Sequence, residues 1–144
     1  MDYAQLLLQI SLLIDVGLVV LIWLVQLIIY PSFTYYQPEA LFAWHQKYTT
    51  RLAFVVMPLM LGQLLLAIVA VFHHLNFVNA SSLTIVLFLW VFTFVSFAPI
   101  HFKISEGNAN QSLLKLLIKR NWYRTFLWSF LFIFRLIDFI YLSV

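Results

Sequence analysis

The chain has 144 residues, 65% of them hydrophobic and 9% charged, with a mean hydropathy of +1.01. Soluble domains carry about a quarter of their residues as charges, so this composition cannot solvate a globular surface and predicts one integral membrane domain over 1–144. The absence of cysteine excludes disulfides and thiol nucleophiles, and the formal charge of +3 does not point to nucleic acid, because the basic residues flank apolar segments.

About 20 apolar residues cross a bilayer, and four segments meet that length: about 5–29, 51–72, 83–100 and 121–141. They predict an all-α, four-helix transmembrane bundle running up-down-up-down. The first segment follows Met1-Asp2-Tyr3-Ala4-Gln5, which lacks the basic start of a signal peptide, so it reads as a retained span. Its one charge is Asp15, which shares a helical face with Ser11 and Gln26. An aromatic loop is expected over 30–38, bracketed by Pro31 and Pro38 and serving as an interfacial belt.

From Pro38-Glu39 a helical pattern continues to about Phe72, longer than the bilayer is thick. Its first turns, which carry Trp44, His45, Tyr48 and Arg51, therefore belong at the interface. Pro58 lies inside this helix and should bend it. His73-His74 opens a polar loop, and the third span ends at Pro99-Ile100-His101. The clearest loop is 105–111, after which Asn110 or Ser112 is positioned to cap the last helix. The stretch 113–120 is amphipathic and reads as a surface helix before the chain enters the membrane at Asn121-Trp122.

The last span carries a polar stripe of Asn121, Arg124, Thr125, Trp128 and Arg135 on one face, followed by Asp138. A charge facing hydrocarbon is costly, so the stripe must face protein. Seven of the eight basic residues fall in the first and third connections or the adjoining helix ends, and the eighth is Arg135. The positive-inside rule then puts segments 30–50 and 101–120 in the cytoplasm, here of a bacterial inner membrane, with both termini non-cytoplasmic.

Two constellations follow from that topology. Asp15, Arg135 and Asp138 fall at similar depths and are expected to form a structural ion pair or triad that fixes helix register. At the cytoplasmic mouth, His45, His101 and Tyr48 are the candidate catalytic residues. Trp44, Arg51, Asn121, Trp122, Arg124 and Trp128 are the candidate ligand-binding residues. This inventory suits a lipophilic aromatic or quinone-like substrate entering from the bilayer, its acidic head gripped by the arginines. No cofactor is predicted and no metal site. Haem between His45 and His101 is a weaker reading, because nothing at ligand spacing accompanies them. The alternative to an enzyme is a non-catalytic accessory subunit of a larger membrane complex, or a homo-oligomer, that holds lipid, pigment or haem.

Pro99-Ile100-His101, then Leu113…Leu117…Asn121-Trp122-Tyr123-Arg124-Thr125, together with Gln26…Tyr30-Pro31, resembles the anthrone oxygenase-like group of four-helix membrane proteins. That group is itself similar to the DoxX-like proteins. The chain departs from the group's pattern by His101, where a Thr-Asn pair is expected, and by Trp44-His45. The resemblance implies the four-helix fold more than a particular reaction.

Overall fold

A computed structural model describes residues 3–143, with side chains to 141. Met1, Asp2 and Val144 lie outside the described residues, and with them the outermost ends of the chain. The described residues are all-helical, without strands. The chain begins with α1 (Tyr3–Leu24), a π-turn (Val25–Ile29), α2 (Tyr30–Ser32) and a 3-10 turn (Phe33–Tyr35), and continues with α3 (Pro38–His73), α4 (Phe77–Ser105) and α5 (Gln111–Ser143). Among these residues, three helical segments are long and apolar enough to cross a membrane: Tyr3–Tyr35, Pro38–His73 and Phe77–Ser105.

Where a loop is expected at 30–38, the chain stays helical to Tyr35. Proline cannot donate to the carbonyl four residues back, and its ring crowds that carbonyl. The chain answers with one wide turn, in which Tyr30 N–H reaches back to Val25 O. Pro31 then opens a new helical segment, where a missing N–H costs nothing. Ser32 Oγ and Thr34 Oγ1 donate to the carbonyls of Ile29 and Pro31, both at 2.7 Å, so the hydroxyls stabilise the helix instead of ending it. Val25 and Gln26 are both buried although adjacent, a mark of the wider turn.

The helix α3 is unbroken for 36 residues, about 54 Å at 1.5 Å per residue, with Pro58 on an exposed face. The expected polar loop after it shrinks to three residues, because Asn76 Oδ1 accepts from Asn79 N–H at 2.8 Å and starts α4 early. Pro99 lies within α4 and does not end it. The true end comes at Gly107, with φ of 79°: Gly107 N–H bonds Ile104 O and Asn108 N–H bonds Lys103 O. This is the left-handed helix stop that glycine permits. Asn110 Oδ1 then accepts from Leu113 N–H at 2.8 Å and caps α5. The predicted surface helix over 113–120 is the first third of α5, with Leu114 and Leu117 in the core.

Packing places α1 against α3 and α5, and α4 against the same two. Gly62 of α3 sits close to α1, where an added Cβ would meet Ile14 Cδ1 at 2.9 Å. The outward faces carry exposed Leu13, Val20, Phe54, Leu65, Val91, Phe130 and Ile133, among others. Polar side chains occupy the interior instead: Asp15, Gln26, His45, Gln63, Asn121, Arg124, Thr125 and Arg135 are all buried.

Candidate functional site

Two polar assemblies occupy the interior. In the first, Arg135 Nη1 donates to Asp15 Oδ2 at 3.0 Å, with the two residues 4% and 1% exposed. Gln63 Nε2 donates to the other carboxylate oxygen at 2.6 Å, and Trp128 Nε1 donates to Gln63 Oε1 at 3.1 Å. Asp15 thereby joins α1, α3 and α5. Asp138 forms no ion pair among the described residues, so the pairing expected for it with Arg135 is absent. It instead borders a cavity of about 400 Å³ with Arg135, Ser11, His73 and His74. Asn121, predicted to bind ligand, donates through Nδ2 to Gln26 Oε1 at 2.9 Å and so ties α5 to the π-turn.

The second assembly is a chain of hydrogen bonds. Tyr30 Oη lies 3.1 Å from His101 Nε2, His101 Nδ1 lies 2.9 Å from His45 Nε2, and His45 Nδ1 lies 3.1 Å from Ser105 Oγ. The Tyr30–Pro31 turn supplies the phenol, while His101 and Ser105 sit one helical turn apart on α4. His45 reaches them from the start of α3 and is fully buried. The two imidazoles stack with centroids 5.1 Å apart, and Phe33 packs edge-on against His45 and Tyr48. Opposite axial ligation of one iron needs about 4 Å between the ring nitrogens at typical metal–nitrogen lengths near 2 Å. In this arrangement those nitrogens bond each other. Among the described residues, no group of three His, Asp or Glu is placed to hold a metal ion.

Arg124 lies beside this chain, only 7% exposed. Its guanidinium carbon is 4.4 Å from the Phe97 ring centroid and 5.1 Å from that of Trp128. Cation–π contact stabilises such a cation by about 2 kcal/mol at most sites of this kind, well short of the several kcal/mol that burying an ion costs. No carboxylate among the described residues lies within ion-pair distance of it.

A cavity of about 260 Å³ opens between α3 and α4. Tyr30, Tyr48, His101 and Arg124 form its polar end, and Leu52, Val56 and Phe97 form apolar walls. Ala53, Met57, Phe94 and Ala98, exposed on the outer faces of α3 and α4, frame its mouth. Among the described residues six buried side-chain atoms have no hydrogen-bond partner, and three of them, Tyr48 Oη, Thr93 Oγ1 and Arg124 Nε, belong to residues lining this one cavity, with the Tyr30 phenol the polar group nearest Tyr48 and Arg124. Buried polar atoms are nearly always satisfied by protein or by ordered water, so water or a bound polar group would complete these three.

The predicted mouth residues are thus divided. His101, Tyr48 and Arg124 line the cavity, His45 stands behind His101, and Trp128 underlies Arg124. Trp44 is partly exposed, with its ring 6.5 Å from that of Tyr48, and does not reach the cavity. Arg51 is exposed, and Trp122 packs on Trp23 and Phe126. Ser105 and Thr93 are absent from the predicted site, whereas Tyr30 belongs to the cluster that the topology places at the cytoplasmic mouth. The spacing of four between His101 and Ser105 was a usable signal, since such residues share a helix face. No protein-family model, curated protein or solved structure matches this chain.

Proposed function

We propose that the protein is a small integral membrane protein that takes a lipophilic phenolic or quinone-like substrate from the bilayer and exchanges a proton with its oxygen. The four helices run up-down-up-down in the bacterial inner membrane, with segments 30–50 and 101–120 cytoplasmic and both termini on the other side. The order of interhelix contacts supports that topology: Asp15 meets Gln63 and Arg135, Gln26 meets Asn121, and His45 meets His101. The seven basic residues outside the spans support the sidedness.

The observation that carries this reading is the clustering of three unpartnered polar atoms, one of them on a buried cation, around one laterally open cavity. An oxygen bearing negative charge would satisfy Arg124, and the apolar walls would take an alkyl or aryl body. The test is binding of a long-chain alkylphenol and of its O-methyl ether to the purified protein in detergent, read by isothermal titration. The phenol should bind at least tenfold more tightly than the ether, and Arg124→Gln should remove that preference. Thermal unfolding of Arg124→Gln should be unchanged or slightly raised, because an uncompensated buried charge has been removed. Equal affinity for phenol and ether would sink the reading.

A further inference from the structure

The chain Tyr30–His101–His45–Ser105 has a property that binding alone does not require. Every link is a hydrogen bond between groups that both donate and accept. A neutral imidazole has one N–H and one bare nitrogen, so the chain has two self-consistent polarities. In one, Tyr30 donates to His101, His101 to His45, and His45 to Ser105. In the other, Ser105 donates inward and Tyr30 is left free to donate into the cavity. One end, Tyr30, lines the cavity. The other, Ser105, is half-exposed in the last turn of α4, next to exposed Glu106 and Gly107.

We propose that these four residues form a proton-exchange path between the cavity and the aqueous surface at the C-terminal end of α4. This rests on the cavity's holding an acidic lipophilic substrate, and it assigns the route by which that substrate's proton leaves and returns. For loss of a proton, the substrate hydroxyl gives its proton to Tyr30 Oη as Tyr30 passes its own to His101 Nε2. His101 releases the Nδ1 proton to His45 Nε2, His45 releases its Nδ1 proton to Ser105 Oγ, and the Ser105 hydroxyl proton goes to water. One proton enters and one departs. The substrate remains as an oxyanion against Arg124, and both rings have exchanged which nitrogen carries hydrogen. The chain is then set for the opposite transfer, so deprotonation on binding and reprotonation on release alternate without either ring turning over.

The titratable groups facing the two rings are few. They are Tyr30 from α2, Tyr48 from α3 and Arg124 from α5, with no carboxylate among them. The carboxylates of Asp15 and Asp138 belong to other assemblies. A proton entering the pair therefore meets no local base that would hold it, and passage along the chain is the route the hydrogen bonds offer.

The test mixes purified protein with the long-chain alkylphenol in weakly buffered detergent and follows proton release by stopped-flow with a pH indicator. The wild-type protein should release a proton in step with binding. His45→Gln keeps a donor and an acceptor in place but an amide does not swap them as imidazole does, so release should slow at least tenfold while affinity stays within about twofold. Ser105→Ala should slow release as well, and Ser105→Thr should restore it. Release at the wild-type rate in His45→Gln, with binding intact, would overturn the path. Failure of the phenol to bind would count against the substrate reading, and the path is then decided by nitrogen-15 NMR of the ligand-free protein. There, the ring N–H of both histidines should exchange with deuterated solvent at one rate, slowed by Ser105→Ala. Rings indifferent to Ser105→Ala would overturn it.

Discussion

Arg135 and Arg124 lie on the same helix and are buried to nearly the same degree, yet only Arg135 has a carboxylate. The difference separates a structural charge from a binding one. Removing one partner of a buried ion pair leaves an uncompensated charge and costs about 3–5 kcal/mol, whereas replacing both by apolar groups is often neutral. Arg135→Leu should therefore lower thermal stability in detergent far more than the Arg135→Leu, Asp15→Leu double variant. A double variant as unstable as the single would show that the loss does not come from leaving Asp15 uncompensated. Much of this was legible in the sequence, because Asp15 is the one charge of the first span and Arg135 falls at a matching depth in the last. The ligand side was harder to read. Trp44, Arg51 and Trp122 are the residue types that also anchor helices at a membrane interface, and a small helix rotation decides between the two roles. The pattern of polar types could bring His45 and His101 to one end of the bundle. It also turned Arg124 inward, through the stripe shared with Asn121, Thr125 and Trp128, but it could not show that Arg51 turns outward.

Helix boundaries were the least legible part at the level of elements. Proline suggested endings at Pro31 and Pro99, but both sit where the chain absorbs a missing N–H, one after a wide turn and one within a packed helix. The real stop, Gly107, works by backbone conformation. An added Cβ there would touch nothing within 4 Å, so the cost of Gly107→Ala is conformational and should be about 1 kcal/mol. Gly62→Ala meets only the flexible tip of Ile14 and should cost less. Parallel thermal unfolding of the two variants checks the order. A larger loss for Gly62→Ala would mean that the approach of α1 to α3 is tighter than the side-chain geometry indicates.

For the molecule as a whole, hydropathy and basic-residue bias led to the membrane class and to a sidedness that a cysteine-free chain makes easy to test. Single cysteines at Gln46, Asn108 and His74 are all at exposed positions. A membrane-impermeant maleimide should label the first two from the cytoplasmic side and the third from the other. Labelling of positions 46 and 108 from opposite sides would overturn the proposed topology. It would also remove the reason for expecting His45 and His101 to share a membrane face.

The wide turn at Val25–Ile29 has a consequence for how this chain tolerates change. Upstream of it, α1 is held in phase by Asp15; downstream, Tyr30 must arrive at His101. The two ends of one continuous helical segment are therefore offset by a single residue, about 100° of rotation on an ideal α-helix. A substitution within the turn leaves that offset intact. Deleting one residue within the turn would restore a regular helix with both the Asp15 lock and the phenol still in phase, whereas straightening the turn at its full length would swing the phenol about 100° away from the imidazole. What this stretch holds mechanically is the match between residue count and turn width, and side-chain identity matters at Gln26 and Tyr30.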